Sequence, residues 1–112
     1  MEDIASLDRV DAPADGRVIE LAVLLADHKG VDAVALDLRN MNSWTDYFVI
    51  ATVTSSTHMR GLLKHIKDFL GEHGMETLHK HAGSEDDEWS LVDCGTLVVH
   101  LMSQKARAFY DL

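Results

Sequence analysis

The chain has 112 residues, enough for one domain with a genuine core, and its 46% apolar and 26% charged composition is that of a globular protein and not of a disordered tail. Ten Lys and Arg against nineteen Asp and Glu leave a net charge of −9, which repels phosphate backbones and argues against broad direct nucleic-acid binding. A basic protein partner suits that charge, although solubility alone would also account for it. The longest apolar runs, Leu21 to Ala26 and Leu97 to Val99, fall far short of the ~20 residues that cross a bilayer, so no membrane span is expected.

Residues 1–15 read as a flexible acidic leader containing the sole proline, Pro13, and residues 16–112 as a single domain. Glu2, Asp3, Asp8 and Asp11 are the opposite of the basic start of a secretory signal, so the expected location is cytoplasmic. From Gly16, Val18, Leu21, Ala22 and Leu25 recur at helical spacing, and Lys29 and Gly30 supply the stop. Val34 to Arg39 alternates as a half-buried strand, with Val34, Leu36 and Leu38 on one face and Ala35, Asp37 and Arg39 on the other. Asn40, Asn42 and Ser43 mark a turn, and Tyr47 to Val53 is apolar enough to be the middle of the sheet.

Thr54 to Thr57 offer hydroxyl caps to a second helix, whose stripe is Met59, Leu62, Leu63, Ile66, Phe69 and Leu70 and whose end is near Gly74. Glu76 to His81 predicts a short edge strand, and Ala82 to Glu88 a loop with four consecutive carboxylates. Trp89 to Asp93 and Thr96 to Ser103 are the last strands, followed by a helix from about Gln104 capped by Ser103. The expected fold is therefore α/β (α+β), a mixed β-sheet of about five strands flanked by helices.

A two-residue turn at Cys94 and Gly95 would pair Val92 with Leu97, Leu91 with Val98, Ser90 with Val99 and Trp89 with His100. One face then holds the aliphatic Val92, Leu97, Val99 and Leu101. The other holds Trp89, Leu91, Asp93, Thr96, Val98, His100 and Met102, an apolar surface with a tryptophan and polar groups that suits a protein partner. Cover by a helix of the same domain would equally explain that face, and an exposed apolar sheet surface could also pair with a second copy of the chain.

Catalytic chemistry is not legible. Cys94, the sole cysteine, reads as an inert, partly buried thiol. The carboxylates from Glu85 to Glu88 lack the spacing and glycine of a calcium loop, and His79 and His81 lack a third ligand, so no metal site is expected. Asp93 could orient His100 as a base, but no activated nucleophile accompanies them, and no phosphate-binding glycine loop or other cofactor signal occurs. The element order resembles that of the nucleotidyltransferase fold, whose enzymes place a Gly-Ser next to a strand bearing paired, alternate aspartates that hold magnesium. Here Ser43 has no preceding glycine, and the position two after Asp46 is Phe48, so a catalytic site is not expected, with a nucleotide-binding module or enzyme as the alternative.

Taken together, Ala35-Leu-Asp-Leu-Arg39, Thr45-Asp-Tyr-Phe-Val-Ile-Ala-Thr52, Thr54-Ser-Ser56, Trp89-Ser-Leu-Val-Asp-Cys-Gly95, Val98-Val-His100 and Ala108-Phe-Tyr-Asp-Leu112 resemble the ribosomal silencing factor family, also called Iojap-like or RsfS, over about residues 17–112. The resemblance implies a nucleotidyltransferase-like fold without the activity. It also implies binding to the large ribosomal subunit through its protein L-fourteen, steric block of small-subunit joining, and lowered translation when nutrients are short. It places the partner surface on Trp89, Asp93 and Gly95, to which the face pattern adds Leu91, Thr96, Val98, His100 and Met102. Family chains usually continue past this Tyr-Asp-Leu with a short acidic, tryptophan-containing end, so a trimmed chain with a less firmly docked last helix is expected. The acidic loop from Ser84 to Glu88 would strengthen attraction to a basic ribosomal surface.

Overall fold

A computed structural model describes residues 2–3, 16–41, 45–77, 79–81 and 88–110. In chain order the elements are β1 (Glu2–Asp3), α1 (Gly16–Asp27), β2 (Val31–Asp37), β3 (Tyr47–Val53), α2 (Ser56–Glu72), β4 (His79–His81), β5 (Trp89–Asp93), β6 (Leu97–Ser103) and α3 (Gln104–Tyr110). They form a mixed sheet in the order β1-β2-β3-β6-β5-β4, in which β3 and β6 run parallel and every other pair antiparallel. The sheet has six strands, not about five, because Glu2–Asp3 pairs with the end of β2. The rest of the acidic leader, Asn42 and Ser43 of the expected turn, and Ala82 to Asp87 of the acidic loop lie outside the described residues.

Both long helices end as their composition dictates. Lys29 (φ 71°) takes the left-handed position after α1, while the Gly30 N–H reaches back to the Leu25 carbonyl at 2.7 Å and the Lys29 N–H to Ala26 at 3.1 Å. This 6→1 and 5→2 pair is the Schellman closure. Gly30 is required there by space: a Cβ on it would sit 2.7 Å from the Leu25 oxygen and 3.2 Å from the Ala51 Cβ. The same closure follows α2, with Gly74 at φ 64° and the Met75 N–H on the Leu70 carbonyl at 2.8 Å. At the other end of α2 the Ser55 hydroxyl accepts the His58 N–H at 3.0 Å. His58 then ties the two helices together, its Nδ1 accepting the Thr54 N–H and its Nε2–H meeting the His28 carbonyl, each at 3.0 Å.

The helices divide the sheet's two faces unequally. Val18, Leu21, Ala22 and Leu25 of α1 and Met59, Leu62, Ile66, Phe69 and Leu70 of α2 bury one face, meeting Ala35, Val49, Ala51, Val92, Val99 and Leu101. The opposite face carries a smaller cluster, in which Leu36, Leu38, Ile50 and Met102 pack with Ala106 of the short α3. Arg107 anchors α3 to β2 where the strand bulges around Asp32 (φ 50°), donating to the Asp32 carbonyl at 2.7 Å and to Thr52 Oγ1 at 3.0 Å. Ser103 starts α3, accepting the Ala106 N–H at 3.0 Å and donating to Glu88 Oε1 at 3.0 Å.

Candidate partner-binding site

The second sheet face holds the candidate residues of both hairpin strands, but not in the predicted register. Trp89 pairs with Met102, Leu91 with His100, Val92 with Val99 and Asp93 with Val98, two residues away from the expected pairing. The reason is the turn. Cys94 donates its N–H to the Leu97 carbonyl at 2.8 Å, leaving Gly95 and Thr96, not Cys94 and Gly95, as the two central residues. A shift of two keeps the side-chain parity of a strand, so both faces survive as expected while the cross-strand neighbours change.

Interactions from outside the hairpin hold the turn in this place. Gly95 has φ 92°, which a side chain would resist, and its N–H donates to Asp93 Oδ1 at 2.8 Å. The buried Thr45 donates its hydroxyl to the Gly95 carbonyl at 3.0 Å, and the Asp46 and Tyr47 N–H groups meet the Thr96 carbonyl at 3.1 and 3.0 Å. The Cys94 thiol, half-buried beside this turn, is pushed up to about 11 by burial and then by the Asp93 carboxylate. It is a poor nucleophile at neutral pH.

Burial sorts the eight candidate residues into two groups. Trp89, Leu91, Asp93 and Gly95 are half-buried and Thr96 is exposed, so a partner can touch them. Val98 and Met102 are 0% exposed and His100 is 4% exposed, so in the free chain these three expected contact residues are buried. They lie on the predicted face, but as the layer behind the surface. The cause is non-local: β3 lies alongside β6, and α3 closes over Met102.

His100 organises the aromatic part of this face. The Trp89 indole N–H donates to its Nδ1 at 3.1 Å, and the Phe48 ring meets it edge-on at 4.4 Å between centroids. Asp93, proposed from the sequence as its orienting acid, is bonded to Gly95 instead, so the suggested acid–histidine pair does not form. Burial pushes His100 down to about 4, which keeps the ring neutral at physiological pH. Phe48, half-buried on the same face, and Thr45 beneath the turn were missed by the sequence reading. The alternation of Phe48 with Ile50 along β3 carried the signal for the first, and nothing local carried it for the second.

A histidine tied to an indole, a thiol held protonated and a carboxylate occupied by its own turn form no reacting centre. What they build is a preformed surface. Among the described residues no group of three His, Cys, Asp or Glu side chains is placed to hold a metal ion, and no helix is long and apolar enough to cross a membrane. The fold is that of a small α/β domain built on a mixed sheet.

The family profile described as "Ribosomal silencing factor during starvation" matches residues 11–112, and the chain belongs to that family, which is named for regulation and not for catalysis. It is 34% identical to the ribosomal silencing factor RsfS of Treponema pallidum, with 88% of each chain covered, and 31% identical to that of Bacillus subtilis, covering 85% of this chain and 80% of that one. A chloroplastic Iojap protein of Zea mays is 30% identical over 92% of this chain and 46% of its own length. The fold matches a crystal structure from Chromobacterium violaceum with a TM-score of 0.76 at 33% identity, covering 86% of this chain and 80% of that one.

Proposed function

We propose that this chain is a translation repressor that binds the large ribosomal subunit through its protein L-fourteen and sterically blocks joining of the small subunit, lowering translation when nutrients are short. The observation that carries the reading is the half-buried Trp89, with the half-buried Leu91 and the Asp93–Gly95 turn on the same side of the hairpin. Tryptophan supplies large desolvated area and is enriched at binding hot spots. The name of a mouse relative, "Mitochondrial assembly of ribosomal large subunit protein 1", 28% identical over 82% of this chain and 41% of its own length, supports the large subunit as the partner. A body of 36 × 30 × 26 Å is large enough to exclude a second subunit by bulk, and the charge of −9 favours a basic ribosomal protein.

Co-sedimentation with isolated ribosomal subunits tests the reading. The protein is expected to travel with large subunits, to reduce formation of joined ribosomes, and to lose both effects on Trp89→Ala while its circular dichroism stays that of a folded chain. Binding undiminished in the folded variant would remove Trp89 from the site. Sedimentation of the free protein over a concentration series shows whether a second copy competes for the same face. Titration with magnesium nucleotides is expected to give no saturable heat; Phe48, where nucleotidyltransferases carry an aspartate, packs instead against His100.

A further inference from the structure

Trp89 and His100 are not directly opposite each other. Trp89 faces Met102 and His100 faces Leu91, so the two rings meet along the diagonal of the β5–β6 ladder, a distance that aromatic side chains can span. The indole nitrogen can only donate, so the bond at 3.1 Å requires a lone pair on His100 Nδ1. A neutral ring with Nδ1 unprotonated carries its proton on Nε2. That Nε2–H is buried and has no hydrogen-bond partner among the described residues.

An unmatched buried donor is costly, and an aliphatic side chain would sit more comfortably beside Phe48 and between the buried Val98 and Met102 of the same strand. The histidine is therefore a poor choice for packing and a good one for the indole. We propose that His100 is the positioning residue for Trp89: its Nε2–H tautomer holds the indole N–H from behind and presents the ring, already oriented, to the partner. This rests on the functional reading above and assigns His100 a role behind the surface instead of on it. Every contact that fixes the half-buried Trp89 in the free chain lowers the ordering cost of binding, and the bond to His100 is one of them.

Among the described residues, several ionisable groups of the neighbouring elements are engaged elsewhere, Glu88 with the Ser103 hydroxyl among them. On β5, the Asp93 carboxylate is taken by the Gly95 N–H; on β3, Tyr47 lies in the core of the opposite face; on β2, Asp37 is paired with Arg39; and on α3, Arg107 is directed to Asp32 and Thr52.

The full chain, labelled with nitrogen-15, decides the matter. In the free protein at neutral pH, long-range proton–nitrogen spectra should show His100 with Nδ1 unprotonated and Nε2 protonated, with a coupling across the hydrogen bond to the Trp89 indole nitrogen. His100→Leu, which keeps the volume and removes the acceptor, should shift the indole N–H resonance and speed its exchange. It should also weaken co-sedimentation with large subunits by about three- to tenfold. His100→Asn, which keeps an acceptor near the Nδ1 position, should recover most of both. A proton found on Nδ1, or a folded His100→Leu variant that binds as well as the parent while Trp89→Ala does not, overturns the proposal. Undiminished binding by Trp89→Ala overturns the functional reading instead, and the tautomer and indole spectra of the free protein still decide whether His100 holds Trp89.

Discussion

Gly30 and Gly61 should respond to alanine in opposite directions. At Gly30 the new Cβ falls 2.7 Å from the Leu25 carbonyl oxygen and 3.2 Å from the Ala51 Cβ, and the oxygen belongs to the backbone of α1. The contact can be relieved only by moving the end of α1 away from β3, which also stretches the 2.7 Å bond from the Gly30 N–H. Overpacking of this kind costs about 1–3 kcal/mol, and the smaller entropy of the unfolded alanine chain returns roughly 0.5 kcal/mol, for a net loss of about 1.5 kcal/mol. At roughly 4 °C per kcal/mol for a chain of this size, Tm should fall by about 6 °C. Gly61 is exposed inside α2 with nothing within 4 Å of its would-be Cβ, so alanine there should gain about 0.5–1 kcal/mol and raise Tm by about 3 °C. Thermal unfolding by circular dichroism, with urea titration for ΔG, measures both. A Gly30→Ala protein as stable as the parent, or two variants shifted in the same direction, would refute the steric account of α1's end.

Thr45→Val, nearly isosteric, removes the hydroxyl that holds the Gly95 carbonyl and should cost about 1–2 kcal/mol in urea unfolding, with faster amide exchange at Gly95 and Leu97; an unchanged exchange pattern would mean the turn does not need Thr45. Cys94 should react with Ellman's reagent far more slowly than a free thiol at pH 7.4, since roughly one molecule in four thousand carries a thiolate when the group titrates near 11, and should speed up when urea unfolds the chain. Rapid labelling of the native protein would contradict that. His100, pushed down to about 4 by burial in the folded chain from an ordinary 6.5, binds its proton more readily when the chain is unfolded. Stability should therefore be constant, as far as this group is concerned, above pH 6.5 and be lost as the pH falls towards 4, by up to about 3 kcal/mol. In His100→Asn that part of the pH dependence should disappear from urea unfolding series; its persistence would assign the slope to other groups.

The helices were legible because their signals are local. The stripes from Val18 to Leu25 and from Met59 to Leu70, the Ser55 cap and the stops at Lys29-Gly30 and Gly74 are each written within a few residues of where they act. The hairpin was half legible. Parity assigns Trp89, Leu91 and Asp93 to one face and Val92 and Leu97 to the other under either placement of Gly95 in the turn. The choice between placements is made by Thr45, Asp46 and Tyr47, about fifty residues away in the chain, and no local pattern reports them. Exposure on this face was the least legible property. Val98, His100 and Met102 alternate with the core as Trp89 does, yet they are buried because β3 and α3 lie beside them, and strand adjacency is not a local property.

The place of β6 in the sheet has a consequence for assembly. It is the last strand in chain order, yet it lies in the middle, parallel to β3 on one side and antiparallel to β5 on the other. Until residues 97–103 are inserted, β1-β2-β3 and β4-β5 are separate ribbons, and β3, the most apolar strand, presents an unpaired edge. Such an edge invites pairing with another chain. A polypeptide halted before Leu97 would thus be sticky, and its open edge would disappear in one late, long-range closure when the β6 backbone zips both ribbons together. A nascent chain must carry that exposed edge from the completion of β3 at Val53 until β6 has been made.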